Sequence, residues 1–161
     1  MKYTFTLLIN IFATSLIFFA CEKNSNNPEQ KTTIYNVGDE ISDEHKTMEF
    51  DICYGDYPTE KFKLSDFENK VIWLHFSATW WAPCFSFIQV GEEVEEYWEH
   101  NENVAIIDFL DSINEPYSCS QWGSVGNANL PIIIDDDSYN FVDQFHDVYP
   151  TNVFIDHEMD D

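Results

Sequence analysis

The segment most able to do chemistry is Trp80-Trp81-Ala82-Pro83-Cys84, which follows an apolar run and opens a stretch of helical periodicity. At such a strand-to-helix junction the unpaired N–H groups of the helix lower the pKa of a thiol. The Cys84 thiol could therefore serve as a nucleophile. A lone cysteine beside two aromatic residues can equally be a small buried hydrophobe. The residues alone leave both interpretations open.

The elements around this segment alternate between strands and helices. Short runs rich in β-branched and aromatic residues predict buried strands, and apolar residues at three- and four-residue intervals predict helices. Such alternation predicts an α/β sheet with crossover connections. The predicted strands are 71–76, 104–110, 130–134 and 151–155. The predicted helices are 84–100, with Phe87, Val90, Val94 and Trp98 on the apolar face, and 138–146, with Phe141, Val142 and Phe145.

Four short motifs, in order along the chain, resemble the thioredoxin superfamily and especially its TlpA/ResA-like, redoxin-type envelope oxidoreductases. They are Val37-Gly38-Asp39, Leu64-Ser65-Asp66-Phe67, the stretch Phe76–Cys84 (FSATWWAPC), and Val148-Tyr149-Pro150-Thr151. The resemblance covers residues 34–158. It implies a thioredoxin-like mixed sheet flanked by helices and a family activity of thiol–disulfide oxidoreduction. The family continues with a further strand and helix, so residues 34–161 would form a domain that is incomplete at its C-terminal end.

The motif departs from the family at the position that does the chemistry. Aligning the segment on the family's W-C-x-P-C places Trp81 at the nucleophilic cysteine and Cys84 at the resolving cysteine. Since a tryptophan has no thiolate, the usual two-cysteine exchange cannot run. His75 also stands where thioredoxins keep a buried acid. Enzyme activity is therefore uncertain.

The resemblance also implies a peptide-binding groove. In the family, the proline before the last strands is cis and lies against the active-site motif. Pro150 and its neighbour Tyr149 would play that part here, beside Trp80, Trp81 and Pro83. If Pro150 lies beside Trp81, a groove for polypeptides survives although the nucleophile does not. An ordinary trans proline before an edge strand is the alternative.

Three cysteines besides Cys21 follow the N-terminal segment: Cys53, Cys84 and Cys119. An odd number in an exported chain leaves one thiol free or paired with a partner. Cys53 with Cys119 is the pairing to test, which would leave Cys84 free. The sequence by itself leaves the other pairings open.

No cofactor and no metal are predicted. The five histidines show no tight ligand spacing, and a copper site would need two cysteines and a histidine together. The run Asp135-Asp136-Asp137 is most simply a solvated turn and helix cap, with a weak calcium site as the alternative. Read as a peroxiredoxin motif ending on Cys84, the segment has Ser77 and Trp81 at the activating positions, and neither residue fits.

The first twenty residues predict an export signal rather than part of the fold. One lysine precedes the apolar stretch Thr4–Phe19, which is shorter than a membrane span needs. Ala20 before Cys21 resembles a bacterial lipobox, which implies lipidation at Cys21 and anchoring to a membrane of the cell envelope. An ordinary signal peptide with an incidental cysteine is the alternative. Residues 21–33 are polar and predict a flexible tether.

The charge excludes some partners. The formal net charge is -23, from 30 acidic residues against 7 lysines and no arginine. Nucleic acids and anionic lipid surfaces are bound by basic residues, so neither is predicted as a partner.

The simplest function is a redox-impaired thioredoxin-like lipoprotein of the envelope that binds a polypeptide or a thiol-containing protein. The alternative is an enzyme in which Cys84 acts alone, as a thiol oxidoreductase or a peroxidase-like antioxidant.

Overall fold

The structure, a computed structural model, describes residues 35–125, 132–145 and 148–158. All of them belong to one structural unit, Thr32–Asp161. The predicted signal peptide, the tether and the lipidation site Cys21 lie outside the described residues. Within the described part of the chain, no helix has both the length and the apolar character that crossing a membrane requires.

The described residues form one mixed sheet with short and long helices around it. The strands are β1 (Phe50–Tyr54), β2 (Lys61–Phe62), β3 (Val71–Ala78), β4 (Val104–Asp111), β5 (Ile132–Asp135) and β6 (Thr151–Ile155). The helices are α1 (Asp43–Thr47), α2 (Ala82–Trp98) and α3 (Cys119–Gly123), with 3₁₀ helices at Leu64–Phe67 and Phe141–Gln144. The six strands lie in the order β2-β1-β5-β4-β3-β6. β3, β4 and β5 are parallel, and β1 and β6 run antiparallel to their neighbours.

β3 is buried along nearly its whole length because both faces of the sheet are covered there. Such a strand requires apolar residues on both sides, which the sequence Val-Ile-Trp-Leu-His-Phe supplies except at His75. Ile72, Leu74 and Phe76 point into the larger core, together with Phe109 of β4. Trp73, His75 and Ser77 alternate with them and therefore face the opposite side, where α2 lies.

The predicted strands are confirmed, and residues 132–134 are the described part of the run predicted at 130–134. β1, β2, α1 and α3 were not predicted. β1 does carry a local signal, because Phe50, Ile52 and Tyr54 alternate along its five residues. Phe50 is completely buried and Ile52 pairs with Ile134 of β5.

The apolar face predicted for α2 is confirmed only in part, since Phe87 and Val94 are half-buried and Phe87 packs against Trp73 and His75. Val90 and Trp98 are exposed, whereas Cys84 and Ile88 are the buried residues of the helix. Cys84 and Ile88 pack with Leu110, Ile133 and Trp122 in a second, smaller core. The fully buried residues thus lie on a stripe that is rotated from the predicted one, and Glu95 is partly buried as well.

The helix predicted at 138–146 is also wrong. Residues 141–144 form only a 3₁₀ helix, preceded by Asn140 in a left-handed conformation with φ 49°. The Asp136 carboxylate accepts hydrogen bonds from the N–H groups of Phe141 and Val142, at 2.8 and 3.2 Å. This cap fixes a short turn in place of a regular helix, although Phe141, Val142 and Phe145 are buried as predicted.

Two of the motifs quoted above form tight turns. The Asp39 carboxylate accepts a hydrogen bond from the N–H of Asn36 at 2.7 Å, and Gly38 has φ 92°, which a residue with a side chain rarely adopts. The Asp66 carboxylate accepts a hydrogen bond from the Lys63 N–H at 3.0 Å and so stabilises the start of the 3₁₀ helix at Leu64–Phe67.

Candidate functional site

Trp81 is the N-cap residue of α2. Its backbone carbonyl accepts from the N–H groups of Cys84 and Phe85, at 3.0 and 3.3 Å. The indole has no oxygen to cap the helix, and no side-chain cap bond forms. Pro83 lies in the first turn, where its missing N–H costs nothing. The position that the sequence resemblance would assign to a nucleophile therefore holds a bulky apolar ring, which is 41% exposed.

Thr79 attaches the turn before α2 to the loop that follows β4. Its hydroxyl shares one proton between the carbonyl oxygens of Ser112 and Glu115, the latter at 2.9 Å, and its N–H donates to the Asp111 carbonyl at 3.2 Å. Thr79 is almost completely buried. These bonds hold the loop at 111–117 next to Trp80, so that the loop forms one border of the site.

Four aromatic residues form a surface at the start of α2, here called the aromatic surface: Trp80, Trp81, Phe85 and Tyr117. The indole rings of Trp80 and Trp81 are 5.5 Å apart, and the Phe85 ring stacks on Tyr117 at 5.6 Å. Phe85 lies one helical turn after Trp81, so both point to the same side of the helix. Trp80 is 55% exposed and Phe85 40%. A cluster of this kind is typical of binding surfaces rather than of monomer exteriors.

Cys84 is free and completely buried beneath this surface. Burial raises the pKa of the Cys84 thiol, a backbone hydrogen bond at Ala78 opposes the shift, and the nearby Asp108 carboxylate adds to it. The N-terminal position in α2 would by itself lower the pKa. In this structure burial is the larger effect, so the thiolate population is small at neutral pH.

A polar cluster lies on the same face of the sheet as Cys84. His75 Nδ1 is 3.2 Å from Asp108 Oδ1 and 3.3 Å from the Ser77 hydroxyl, and Trp122 Nε1 donates to Asp108 Oδ2 at 3.3 Å. The His75 ring also lies against Phe87 at 4.6 Å. The cluster brings a basic ring and a carboxylate together where the surroundings are otherwise apolar.

Glu95 of α2 is a further acidic residue close enough to Asp108 to feel its charge. Burial raises its pKa to about 8, with smaller contributions from Asp108 and Glu92. Among the described residues, His75 Nε2, Asp108 Oδ1 and Glu95 Oε2 are buried without a hydrogen bond. The short His75–Asp108 distance therefore lacks hydrogen-bond alignment. A protonated Glu95 is the state that such a site favours at neutral pH.

Tyr149 and Pro150 lie beside the same end of β3. The Tyr149–Pro150 peptide bond is cis, as the resemblance implies. β6 pairs with β3 so that Thr151 faces Phe76, and continuing the register places Pro150 opposite Ser77. Tyr149 packs against the core that contains Cys84. These two residues thus lie near the start of α2, but no described contact joins Pro150 to Trp81.

Cys53 and Cys119 form a disulfide, which confirms the proposed pairing. It connects β1 to the first residue of α3 and lies in the core that contains Cys84 and Trp122. Ser118 caps α3 and exchanges hydrogen bonds with Gln121, which explains why the helix begins at Cys119.

The acidic run at 135–137 is a structural turn. Asp136 is buried, contrary to the prediction of a solvated turn, and its pKa is raised to about 7 by burial despite the hydrogen bonds from Phe141 and Val142. Asp137 accepts from the N–H groups of Ser112 and Ile113, at 2.5 and 3.0 Å. In the described ranges, no three His, Cys, Asp or Glu residues are grouped so that they could hold a metal ion.

A depression of about 880 Å³ lies elsewhere, between residues 35–41 and β6. Neither Cys84 nor any residue of the aromatic surface lines it, so it is separate from the site that the sequence predicts. Its lining includes Asp39, Glu40 and Asp156 but none of the buried titratable groups named above.

Several residues of the site escaped the sequence analysis. Phe85 could have been found, because it follows Trp81 by four positions on a helix. Asp108 also gives a signal, as an acid within the apolar run of β4. Thr79 and Tyr117 give none, since their roles depend on the loop at 111–117. Glu95 is one of four glutamates within five residues, and nothing local distinguishes it.

Comparison with known proteins identifies the fold. Neither a protein-family model nor a curated protein matches this chain. Solved structures do, and three are named here. The exposed lipoprotein thioredoxin of Streptococcus pneumoniae has 20% identity and a TM-score of 0.54, over 69% of this chain and 82% of that one. A secreted disulfide oxidoreductase of Mycobacterium tuberculosis, homologous to E. coli DsbE, has 15% identity and a TM-score of 0.58, over 73% of this chain and 81% of that one. DsbF of the same organism has 13% identity and a TM-score of 0.57, over 74% of this chain and 84% of that one.

The chain therefore has a thioredoxin-like fold, as the four sequence motifs indicate. At these identities the similarity establishes the architecture and leaves the activity to be argued from the site itself.

Proposed function

We propose that this chain is a thioredoxin-like, polypeptide-binding domain of the cell envelope, with its two-cysteine exchange chemistry lost. The aromatic surface, together with Tyr149 and Pro150 near the start of α2, would bind an extended segment of a partner protein. The observation behind the proposal is the pattern of exposure at the start of α2. The exposed groups there are indole rings, and the thiol lies beneath them, fully buried.

The chemistry of the site supports loss of exchange. Thiol–disulfide exchange needs a thiolate that can reach the disulfide of the substrate. Trp81 offers no thiol. The Cys84 thiol is inaccessible, and burial raises its pKa. The Cys53–Cys119 disulfide ties β1 to α3 and gives the motif no second cysteine.

The same geometry supports binding. Aromatic side chains contribute large contact areas at low entropic cost and account for most of the binding energy in many interfaces. Grooves lined by aromatic rings are a recurrent way of holding extended peptides. The turn at 78–81 is fixed by the hydrogen bonds of Thr79, so Trp80 and Trp81 are presented by a rigid segment.

Export and anchoring belong to the proposal as well. The apolar N-terminal segment and Cys21 would direct the chain to the envelope and attach it through lipid. Two of the similar structures are described as an exposed lipoprotein and as a secreted oxidoreductase. An envelope location would also favour the Cys53–Cys119 disulfide, since such bonds persist in oxidising compartments.

A second function is favoured by one observation. The similar structures named above include a thioredoxin and a disulfide oxidoreductase, and Cys84 lies in the first turn of α2. A single-thiol oxidoreductase or peroxidase-like enzyme acting through Cys84 is therefore the alternative. It would require an opening of the aromatic surface that exposes the thiol to a thiol-containing partner or a peroxide.

A binding measurement tests the main proposal. The full-length chain, in a nonionic detergent, would be titrated calorimetrically with an unfolded, alkylated polypeptide that has no free thiol. We expect Trp81→Ala to weaken binding by about tenfold, as for a central aromatic contact. Trp98→Ala is the matched control, because Trp98 is 40% exposed at the other end of α2. Equal affinities of the two variants would contradict the proposed site.

A further inference from the structure

The charges of this chain are distributed unevenly around the site. All 7 lysines precede Val71, whereas eighteen of the 30 acidic residues follow it. The part that supplies α2, β4, β5 and β6 therefore has no lysine or arginine at all. The described lysines are already engaged: Lys46 pairs with Glu40, Lys61 with Asp51, Lys63 with Glu49, and Lys70 lies over the Phe67 ring.

The acidic side chains next to the aromatic surface lie in and beside the loop at 111–117. Glu115 is exposed, and its backbone accepts from Thr79, the residue before Trp80. Asp111 is bonded through its backbone to the same threonine. The same loop supplies Tyr117, which stacks on Phe85. One loop thus carries both the exposed Glu115 and the Tyr117 ring of the aromatic surface.

Asp137 brings a third carboxylate to this border. Its carboxylate accepts hydrogen bonds from the N–H groups of Ser112 and Ile113, at 2.5 and 3.0 Å. Burial raises the pKa of Asp137, and the neighbouring Asp111 carboxylate adds to the shift. Within the described residues, neither Asp111, Asp137 nor Glu115 forms an ion pair with a lysine or histidine.

We propose that the partner of the aromatic surface is a cationic polypeptide segment, with a lysine or arginine over Trp80 or Trp81 and further basic residues against Asp111, Glu115 and Asp137. Exposed indole faces attract such cations, and the acidic border provides complementary charge that the chain itself does not neutralise. An acidic segment is excluded by the same field. This inference rests on the proposed function and names the chemistry of its ligand.

Three peptides of one design separate charge from apolar contact. They are capped octapeptides that alternate tyrosine with lysine, with glutamine, or with glutamate. Each is titrated calorimetrically into the full-length chain in a nonionic detergent, at about 50 mM and at about 500 mM NaCl. We expect the lysine peptide to bind at least about tenfold more tightly than the glutamine peptide at low salt, and the advantage to shrink at high salt.

Two glutamate variants locate the effect. Glu115→Gln should weaken binding of the lysine peptide by about two- to threefold and leave the glutamine peptide unchanged. Glu102→Gln removes the same charge from an exposed turn next to Asn103, whose carbonyl accepts from Val71 at the opposite end of β3. It should leave both peptides unchanged.

The outcomes distinguish this inference from the proposed function. If the lysine and glutamine peptides bind equally and both are weakened by Trp81→Ala, the surface binds peptides but the cationic partner is wrong. Preference for the glutamate peptide would overturn it too. If no peptide binds, or if Trp81→Ala has no effect on any of them, the proposed function and this inference fail together.

Discussion

At the scale of single residues, Trp81 and Cys84 decide what the site can do. Trp81 caps α2 with its backbone alone and exposes its ring, and Cys84 lies one turn further in without exposure. A thiol in that position has the dipole of the helix in its favour and burial against it. The direction of its pKa shift shows that burial is the stronger effect.

This predicts a slow native reaction of Cys84 with iodoacetamide. At pH 7 to 8, alkylation of the full-length chain should be at least about a hundredfold slower than in guanidinium without reductant, because the thiol is buried and protonated. Mass spectrometry of the peptide that contains Cys84 measures it separately from Cys21. Native alkylation as fast as that of the denatured chain would instead support the single-thiol enzyme.

At the scale of elements, the sequence predicts some features well and others poorly. The continuous apolar runs of β3 and β4 identify them as central strands, because such runs fit only a sheet covered on both faces. The position of α2 is also predictable from Pro83 and the periodicity after it. Its buried face is not, because Glu95 is partly buried and nothing in the helix sequence distinguishes it from the neighbouring glutamates.

The candidate site was predictable in the same partial way. The motif identifies Trp80, Trp81 and Cys84 by its position between strand and helix. The loop at 111–117 contributes Tyr117 and the carbonyl oxygens that accept hydrogen bonds from Thr79. These residues are more than thirty positions away from the motif, and no local pattern predicts such contacts. Contacts of this length in sequence are set by the sheet pairing of β3 with β4.

The Cys53–Cys119 disulfide should contribute strongly to stability. It closes a loop of 66 positions between β1 and α3, which corresponds to about 4 kcal/mol of restricted unfolded-state freedom. We expect the double variant Cys53→Ala/Cys119→Ala to unfold at much lower urea concentration. Cys84→Ala, which removes a buried sulfur without a cross-link, is the control and should cost about 1 kcal/mol. Similar midpoints for the two variants would show that the cross-link contributes little.

Glu95 should make the stability of the protein depend on pH. Its pKa is about 8 in the folded chain and near 4.5 when unfolded, so unfolding releases a proton between those values. The resulting stabilisation is complete below pH 4.5 and is lost as the pH rises through 8. Asp136, with a pKa of about 7, acts in the same direction.

The variant Glu95→Gln should therefore lose stability less steeply as the pH rises. Between pH 5.5 and 7.5 the slope of the unfolding free energy should be shallower by up to about 1.4 kcal/mol per pH unit, the value for one proton. Urea unfolding followed by circular dichroism measures it. Glu93→Gln, at an exposed position of the same helix, should keep the wild-type slope. If Glu95→Gln also keeps the wild-type slope, the raised pKa of Glu95 is contradicted.

At the scale of the whole molecule, the dominant property is a net charge of -23 on 161 residues. Repulsion of this kind keeps a protein soluble and opposes its compact state. Because the basic residues all precede Val71, the repulsion is concentrated in the part that builds the site. A thioredoxin-like fold is thus combined with an excess of acidic residues, on which the proposal of a cationic partner rests.

Raising the ionic strength should consequently stabilise the protein. Between about 10 mM and about 500 mM NaCl, screening should raise Tm by roughly 3–6 °C, the shift that about 1 kcal/mol gives in a domain of this size. Choline chloride, whose cation is bulky and poorly coordinating, should give the same shift if screening is the cause. An unchanged Tm, or a shift with sodium alone, would contradict general self-repulsion.

The most direct test of the account is the reduction of a protein disulfide, such as those of insulin, by the dithiothreitol-driven wild type and by Trp81→Cys. We predict that the wild type reduces it no faster than dithiothreitol alone, and that Trp81→Cys, which restores two thiols around Ala82-Pro83, gives clear acceleration that is lost again in Trp81→Cys/Cys84→Ser. The gain would show that the fold still supports exchange and that one residue prevents it. Acceleration by the wild type that disappears in Cys84→Ser would contradict the account and make Cys84 a catalytic residue.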